Sequence, residues 1–200
     1  EGLREFTGYS IPSIVAPNPL GEMPYQNFTC FFQEVILSRQ WQGRISNYGH
    51  RPRKRDFLRA TDYLILLYQA SKRSGEGELS PCFQHGDFWM GNLGQRNQSL
   101  VLYDFEYATA NGGPLYDLFH FCLYYGVALR NRAMVGMEVA ERNYDRGNEQ
   151  RVFSVTHDDI QTIFIDSGSY RDLVQECIKR YCSACKITPE QSAGLLKQFI

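Results

Sequence analysis

Residues 84 to 92, QHGDFWMGN, decide how this chain is read. Cys82 and Phe83, just before them, read as a brief buried strand, and residues 93 to 105, just after, as a hairpin with QRNQS at its turn and LVLYDF as its returning strand. Gly86 lets the backbone turn sharply, so Asp87 stands on a loop held by strands, where a carboxylate is well placed for general-base work. Asn92 offers a neutral amide oxygen, a hard donor that suits Mg²⁺. A hairpin of this length returns Asp104, at its far end, beside Asn92. One carboxylate, one amide oxygen and open positions for phosphate oxygens describe a site for a Mg-nucleotide. Glu106 falls on the same side if the strand continues, as a second ligand or as the group that orients metal-bound water; solvent is the alternative. Asp87, Asp104 and Glu106 gathered without a cation would repel one another, and a bound metal removes that cost. Each carboxylate has a plainer reading too, Asp87 as an Asx-turn residue and Asp104 as a strand-ending turn residue.

Three motifs follow in order over residues 84 to 118. The run from His85 through Asp87 to Asn92 resembles the H-x-D-x-x-x-x-N catalytic loop of protein-kinase-like phosphotransferases. YDFEYA, residues 103 to 108, stands where those enzymes carry D-F-G, and GGPLYDL, residues 112 to 118, resembles the G-[DG]-P-x-x-D-L stretch that comes next. With glycine after the histidine, the set is similar to aminoglycoside phosphotransferases and to choline or ethanolamine kinases. The resemblance implies that Asp87 accepts or orients the proton of a substrate hydroxyl. It implies that Asn92 and Asp104 hold the Mg²⁺ that bridges the phosphates of ATP or GTP. It implies that His85 braces the loop and that Asp117 ties the loop's backbone to the following helix. The implied reaction moves a γ-phosphoryl group to a hydroxyl of a small molecule: an aminoglycoside, a sugar, or a choline-like amino alcohol.

The implied fold is the C-terminal lobe of a protein-kinase-like fold, α+β and mostly helical, with a small central β-hairpin. The N-terminal lobe of such enzymes supplies a strand lysine and a phosphate-covering loop, and neither pattern occurs here. Residues 1–26 are therefore expected to be a hinge from a missing lobe, and residues 27–200 a helical catalytic lobe, truncated at both ends. A catalytically inactive pseudokinase or regulatory module of the same fold is the competing reading. A true protein kinase fits poorly, given Gly86 and no A-P-E-like segment after Asp104.

Outward from the centre, residues 1 to 26 hold Pro12, Pro17, Pro19 and Pro24 and read as an extended connector. Asn27 to Trp41 reads as a helix with Phe28, Phe31, Phe32, Val35 and Ile36 on one face. Residues 42 to 55 read as a loop. Phe57 to Lys72 is the clearest helix, with Leu58, Leu64, Ile65, Leu67 and Tyr68 as its stripe and Ser74-Gly75 as its stop. Pro114 suits a first helical turn, with a helix to Arg130. Thr156 with Asp159, and Thr188 with Gln191, form capping boxes for later helices, and Ser169 to Lys186 is a helix between them. His120, on an apolar helix face, reads as a satisfied core histidine. Tyr124 and Tyr125 read as core, with an acceptor pocket as the minor option, and His50 and His157 have no partner pattern.

Net charge is −1 and the pI about 6.5, against bulk nucleic-acid or polybasic membrane binding. The basic run Arg51 to Arg55 reads as a solvated face. Six cysteines occur; Cys182 and Cys185 form a C-x-x-C without the second pair a zinc site needs. No basic-then-apolar leader is visible, so the expected setting is cytoplasmic, and the expected partners are a nucleotide and a small-molecule acceptor, with no nucleic acid or membrane. A cationic acceptor would need carboxylates such as Asp158, Asp159, Asp166, Asp172 and Glu176.

Overall fold

A computed structural model describes residues 6, 8–9, 11, 13–25, 28–41, 52–73, 79–135 and 155–200. Part of the expected connector, the loop over 42–51, His50 and the Ser74-Gly75 stop lie outside these residues.

The described chain is α+β. Its strands are β1 (Ile14–Val15), β2 (Pro19–Tyr25), β3 (Phe28–Gln33), β4 (Arg39–Gln40), β5 (Cys82–Gln84), β6 (Leu93–Arg96), β7 (Ser99–Leu102) and β8 (Thr109–Gly112). The helices are α1 (Lys54–Ser71), α2 (Tyr116–Val135), α3 (His157–Ile160), which runs on as a π-turn over Gln161–Ile165, α4 (Ser169–Cys185) and α5 (Pro189–Phe199). One sheet has the order β1-β7-β6-β4; β2 pairs with β3, and β5 with β8.

The helix expected over Asn27 to Trp41 does not form. Phe28 to Gln33 is a strand, antiparallel to β2 with Tyr25 opposite Phe28 and Pro19 opposite Gln33. Short apolar runs fit a helical and an extended period equally well, and a partner strand decides between them. That partner lies inside the expected connector, disguised by Pro19 and Pro24, which an edge strand tolerates. The sheet content therefore exceeds one central hairpin.

The central hairpin does form, with Leu93 opposite Leu102 and Arg96 opposite Ser99. Its two-residue turn starts at Asn97, whose φ of 56° is the left-handed conformation such turns require and asparagine tolerates. The strand ends at Leu102 and not at Asp104, so alternation does not set the side on which Glu106 lies. Glu106 stands in a turn with Tyr107.

Behind the hairpin lies a core built mainly by helices. α1 buries Phe57, Ala60, Leu64, Leu67 and Tyr68 and packs on α4, which buries Leu173, Val174 and Cys177. Phe57 is fully buried, its ring centroid 4.6 Å from that of Tyr125 and 5.3 Å from that of Phe121. Over residues 116–130 α2 is buried on most sides, which a helix tolerates only at the centre of a domain. Tyr125 belongs to this core, and its hydroxyl accepts from the Arg53 backbone N–H. Both capping boxes are present, Thr156 with Asp159 and Thr188 with Gln191. Cys182 and Cys185 are free thiols on α4, and burial pushes the Cys185 thiol up to about 12. Among the described residues no helix is long and apolar enough to cross a membrane.

Candidate active site

The turn after β5 is fixed by one buried carboxylate. Asp117, in the first turn of α2, accepts the His85 backbone N–H at 2.7 Å and the Gly86 backbone N–H at 2.9 Å, one on each oxygen. Burial raises its pKa to about 6, against the pull of those two donors. Gly86 has φ of +83°, and a Cβ there would collide with the backbone carbonyl and Cβ of Tyr107. Only glycine fits this position.

His85 is fully buried, and its Nε2 lies 2.8 Å from the Tyr103 carbonyl oxygen. A carbonyl only accepts, so Nε2 carries the proton. Burial lowers the pKa of His85 to about 4 and keeps the ring neutral at pH 7. The imidazole thus ties the loop to the residue just before Asp104.

Asp87 is half-buried. The Asn92 amide donates from Nδ2 to its Oδ2 at 2.7 Å and to its main-chain oxygen at 3.1 Å. That leaves the Asn92 amide oxygen uncommitted to Asp87. Burial raises the Asp87 pKa; hydrogen bonds from Asn92 and Trp89 oppose this, and the charges of Asp104 and Glu106 reinforce it. Asp104 and Glu106 are thus each within electrostatic reach of Asp87. Asn92 ends a 3-10 turn, Met90–Asn92, and its carbonyl accepts the Tyr103 N–H at 3.0 Å. This pairing extends the hairpin and sets Asp104 one residue past the partner of Asn92. Asp104 adopts φ of 57°, a left-handed conformation uncommon outside glycine, and is exposed, as is Glu106.

The donors available here are hard oxygens, the Asn92 amide and the carboxylates of Asp104 and Glu106, and they fit Mg²⁺. Among the described residues, no three His, Cys, Asp or Glu side chains form a metal cage. A Mg²⁺ bound mainly through water and phosphate needs no such cage.

His120 stands beside Asp87, with Nε2 3.6 Å from Asp87 Oδ1, on a helix face where it stacks between Tyr116 and Tyr124. Reading it as an ordinary core histidine misses this. The signal is present in its spacing, since three residues after Asp117 places it on the same helical face. Several of the carboxylates considered for a cationic acceptor are engaged elsewhere: Asp159 in its capping box and with Arg130, Glu176 with Lys54, Asp166 with Gln161. The basic run is likewise drawn into pairs, Arg53 with Asp56 and Lys54 with Glu176.

The phosphotransferase enzyme family matches residues 36–154, more than half the chain and all of the site from His85 to Asp117. No curated protein matches significantly. The loop, the hairpin and the helix that carry the site lie inside one family match, and the chain belongs to the phosphotransferase enzyme family.

Proposed function

We propose that this chain carries the catalytic residues of a small-molecule kinase, which moves the γ-phosphoryl group of ATP or GTP to an alcohol. The observation that supports this most is the Asp87 carboxylate, gripped by Asn92 on a loop whose backbone Asp117 fixes, with Asp104 and Glu106 in charge reach. Asp87 orients the acceptor hydroxyl and takes its proton as the oxygen attacks the γ-phosphorus, whose bond to the bridging oxygen breaks to release the nucleoside diphosphate. Its raised basicity suits that task, and such proton transfer contributes about 10²–10⁴-fold. Asn92 and Asp104, with Glu106 as a further oxygen donor, would hold Mg²⁺, which supplies charge neutralisation on the phosphates. Asn92 would then have two jobs at once, its nitrogen orienting Asp87 and its oxygen available to hold the metal. His85 and Asp117 touch no reactant; they hold the loop so that Asp87 does not have to be ordered during the reaction. The protein-kinase-like lobe architecture belongs to this same reading, as do the nucleotide and small alcohol as partners.

An ATP-consumption screen of the full natural protein with aminoglycosides, sugars, choline and ethanolamine tests this. Turnover on one of them, lost in Asp87→Asn, is expected. Full turnover in Asp87→Asn removes the base, and no nucleotide binding at all favours the inactive alternative.

A further inference from the structure

We infer that His120 is a positioning residue for Asp87, its Nε2–H fixing Oδ1 of the carboxylate while Asn92 fixes Oδ2. The inference rests on the reading of Asp87 as the group that orients the acceptor. Asp87 Oδ2 is committed to Asn92 Nδ2 at 2.7 Å, and Oδ1 faces His120 Nε2 at 3.6 Å. The Trp89 side chain also donates to this carboxylate, from within the loop; a donor on Oδ1 from α2 adds a restraint anchored outside the loop.

The ring's chemistry follows from its surroundings. His120 is 8% exposed, and Nδ1 is buried with no hydrogen-bond partner among the described residues. The Tyr116 ring lies 6.1 Å away at 23°, and the Tyr124 ring 4.4 Å away at 30°. These residues are four apart along α2, so the helix itself stacks them and sets the imidazole plane. Burial lowers the pKa to about 4, against a hydrogen bond with the Phe88 backbone, so the ring is neutral and carries one proton. With a carboxylate oxygen facing Nε2, that proton belongs on Nε2, since a lone pair there would repel the anion. A hydrogen bond with the Phe88 backbone, one residue past Asp87, ties the ring to the same loop. At 3.6 Å the carboxylate contact is longer than a hydrogen bond. Catalytic contacts often close only when substrate is bound. A neutral donor also serves better than an imidazolium here, because it orients the carboxylate without neutralising the charge that must accept a proton.

Two substitutions separate donor from packing. His120→Phe keeps the aromatic stack and removes the N–H; His120→Gln restores a donor near the position of Nε2. In the full natural protein, with Mg·ATP and water as acceptor, ADP release in His120→Phe is expected to fall roughly ten- to a hundredfold in kcat with KM for ATP unchanged. His120→Gln is expected to recover most of that loss. Wild-type kcat in His120→Phe, or an equal loss in both variants, overturns the proposal.

A second measurement needs no turnover. In ¹⁵N-histidine-labelled protein, two-bond ¹H–¹⁵N spectra should show His120 neutral with its proton on Nε2. The resonances should move in Asp87→Ala and stay in place in Asp172→Ala, a change on the exposed side of α4. A proton on Nδ1, or resonances indifferent to Asp87→Ala, overturns the positioning role. Asp87→Asn keeps the two claims apart: full turnover in that variant ends the base reading, whereas the histidine spectra judge the contact itself.

Discussion

The loop from His85 to Asn92 and the helix pair α1 and α4 share one continuous core but are held by different forces. Between the two helices, Phe57, Leu67, Val174 and Cys177 belong to a broad apolar cluster, and no single contact sets a direction. In the loop, a few polar bonds do all the aiming: Asp117 to two backbone N–H groups, His85 to the Tyr103 carbonyl, Asn92 to Asp87. Apolar burial is non-directional and supplies stability, whereas hydrogen bonds add little net stability yet fix orientation. Stability and activity should therefore respond to different residues.

The largest expected effect is on turnover alone. Asp87→Asn should lower kcat by about 10²–10⁴-fold while thermal unfolding stays close to wild type, since the amide keeps the shape of the side chain. Phe57→Ala should do the reverse. Losing a fully buried ring should cost about 3–5 kcal/mol in denaturant unfolding, with kcat per folded molecule preserved. If Phe57→Ala lowered kcat as strongly as it lowered stability, the separation would be wrong. Asp117→Ala lies between the two. It leaves the His85 and Gly86 N–H groups unpaired at about 1–3 kcal/mol for each, and it frees the loop, so both readouts should drop.

Acid should act through the same buried groups. His85 and His120 have their pKa lowered to about 4, so each stabilises the fold above its ordinary pKa of about 6.5, and that stability is lost as pH falls towards 4. Asp117, raised to about 6, has the opposite sign; its contribution is present below its ordinary pKa and lost as pH rises through 6. Between about pH 4 and 6 the unfolded chain binds two histidine protons against one aspartate proton in the native state. These groups together should make stability rise with pH across that window, and removing His120 should flatten the rise. The smallest expected effect is Thr188→Ala, which removes the cap of α5 at about 1 kcal/mol in chemical unfolding and leaves turnover unchanged.

The same contrast explains what the sequence disclosed. Spacing makes His85, Asp87, Asn92, Asp104 and Asp117 visible, because a loop aimed by a few polar bonds needs particular residue types at fixed intervals. The capping residues Thr156 and Thr188 are visible for the same reason. β3 is not, because Phe28 to Ile36 carries apolar residues that suit a helix, and its fate depends on pairing with β2, a non-local event. His120 is half-legible: its spacing from Asp117 places it on the same helical face, but its approach to Asp87 across the loop is a non-local contact.

Calorimetric titration of ATP into the full natural protein, with and without Mg²⁺, tests the central claim most directly. Binding that requires Mg²⁺ and collapses in Asp104→Ala, with unfolding unchanged, is the predicted result. Equal affinity in wild type and Asp104→Ala, at the same Mg²⁺, would contradict the assignment of this hairpin end to a metal–nucleotide site.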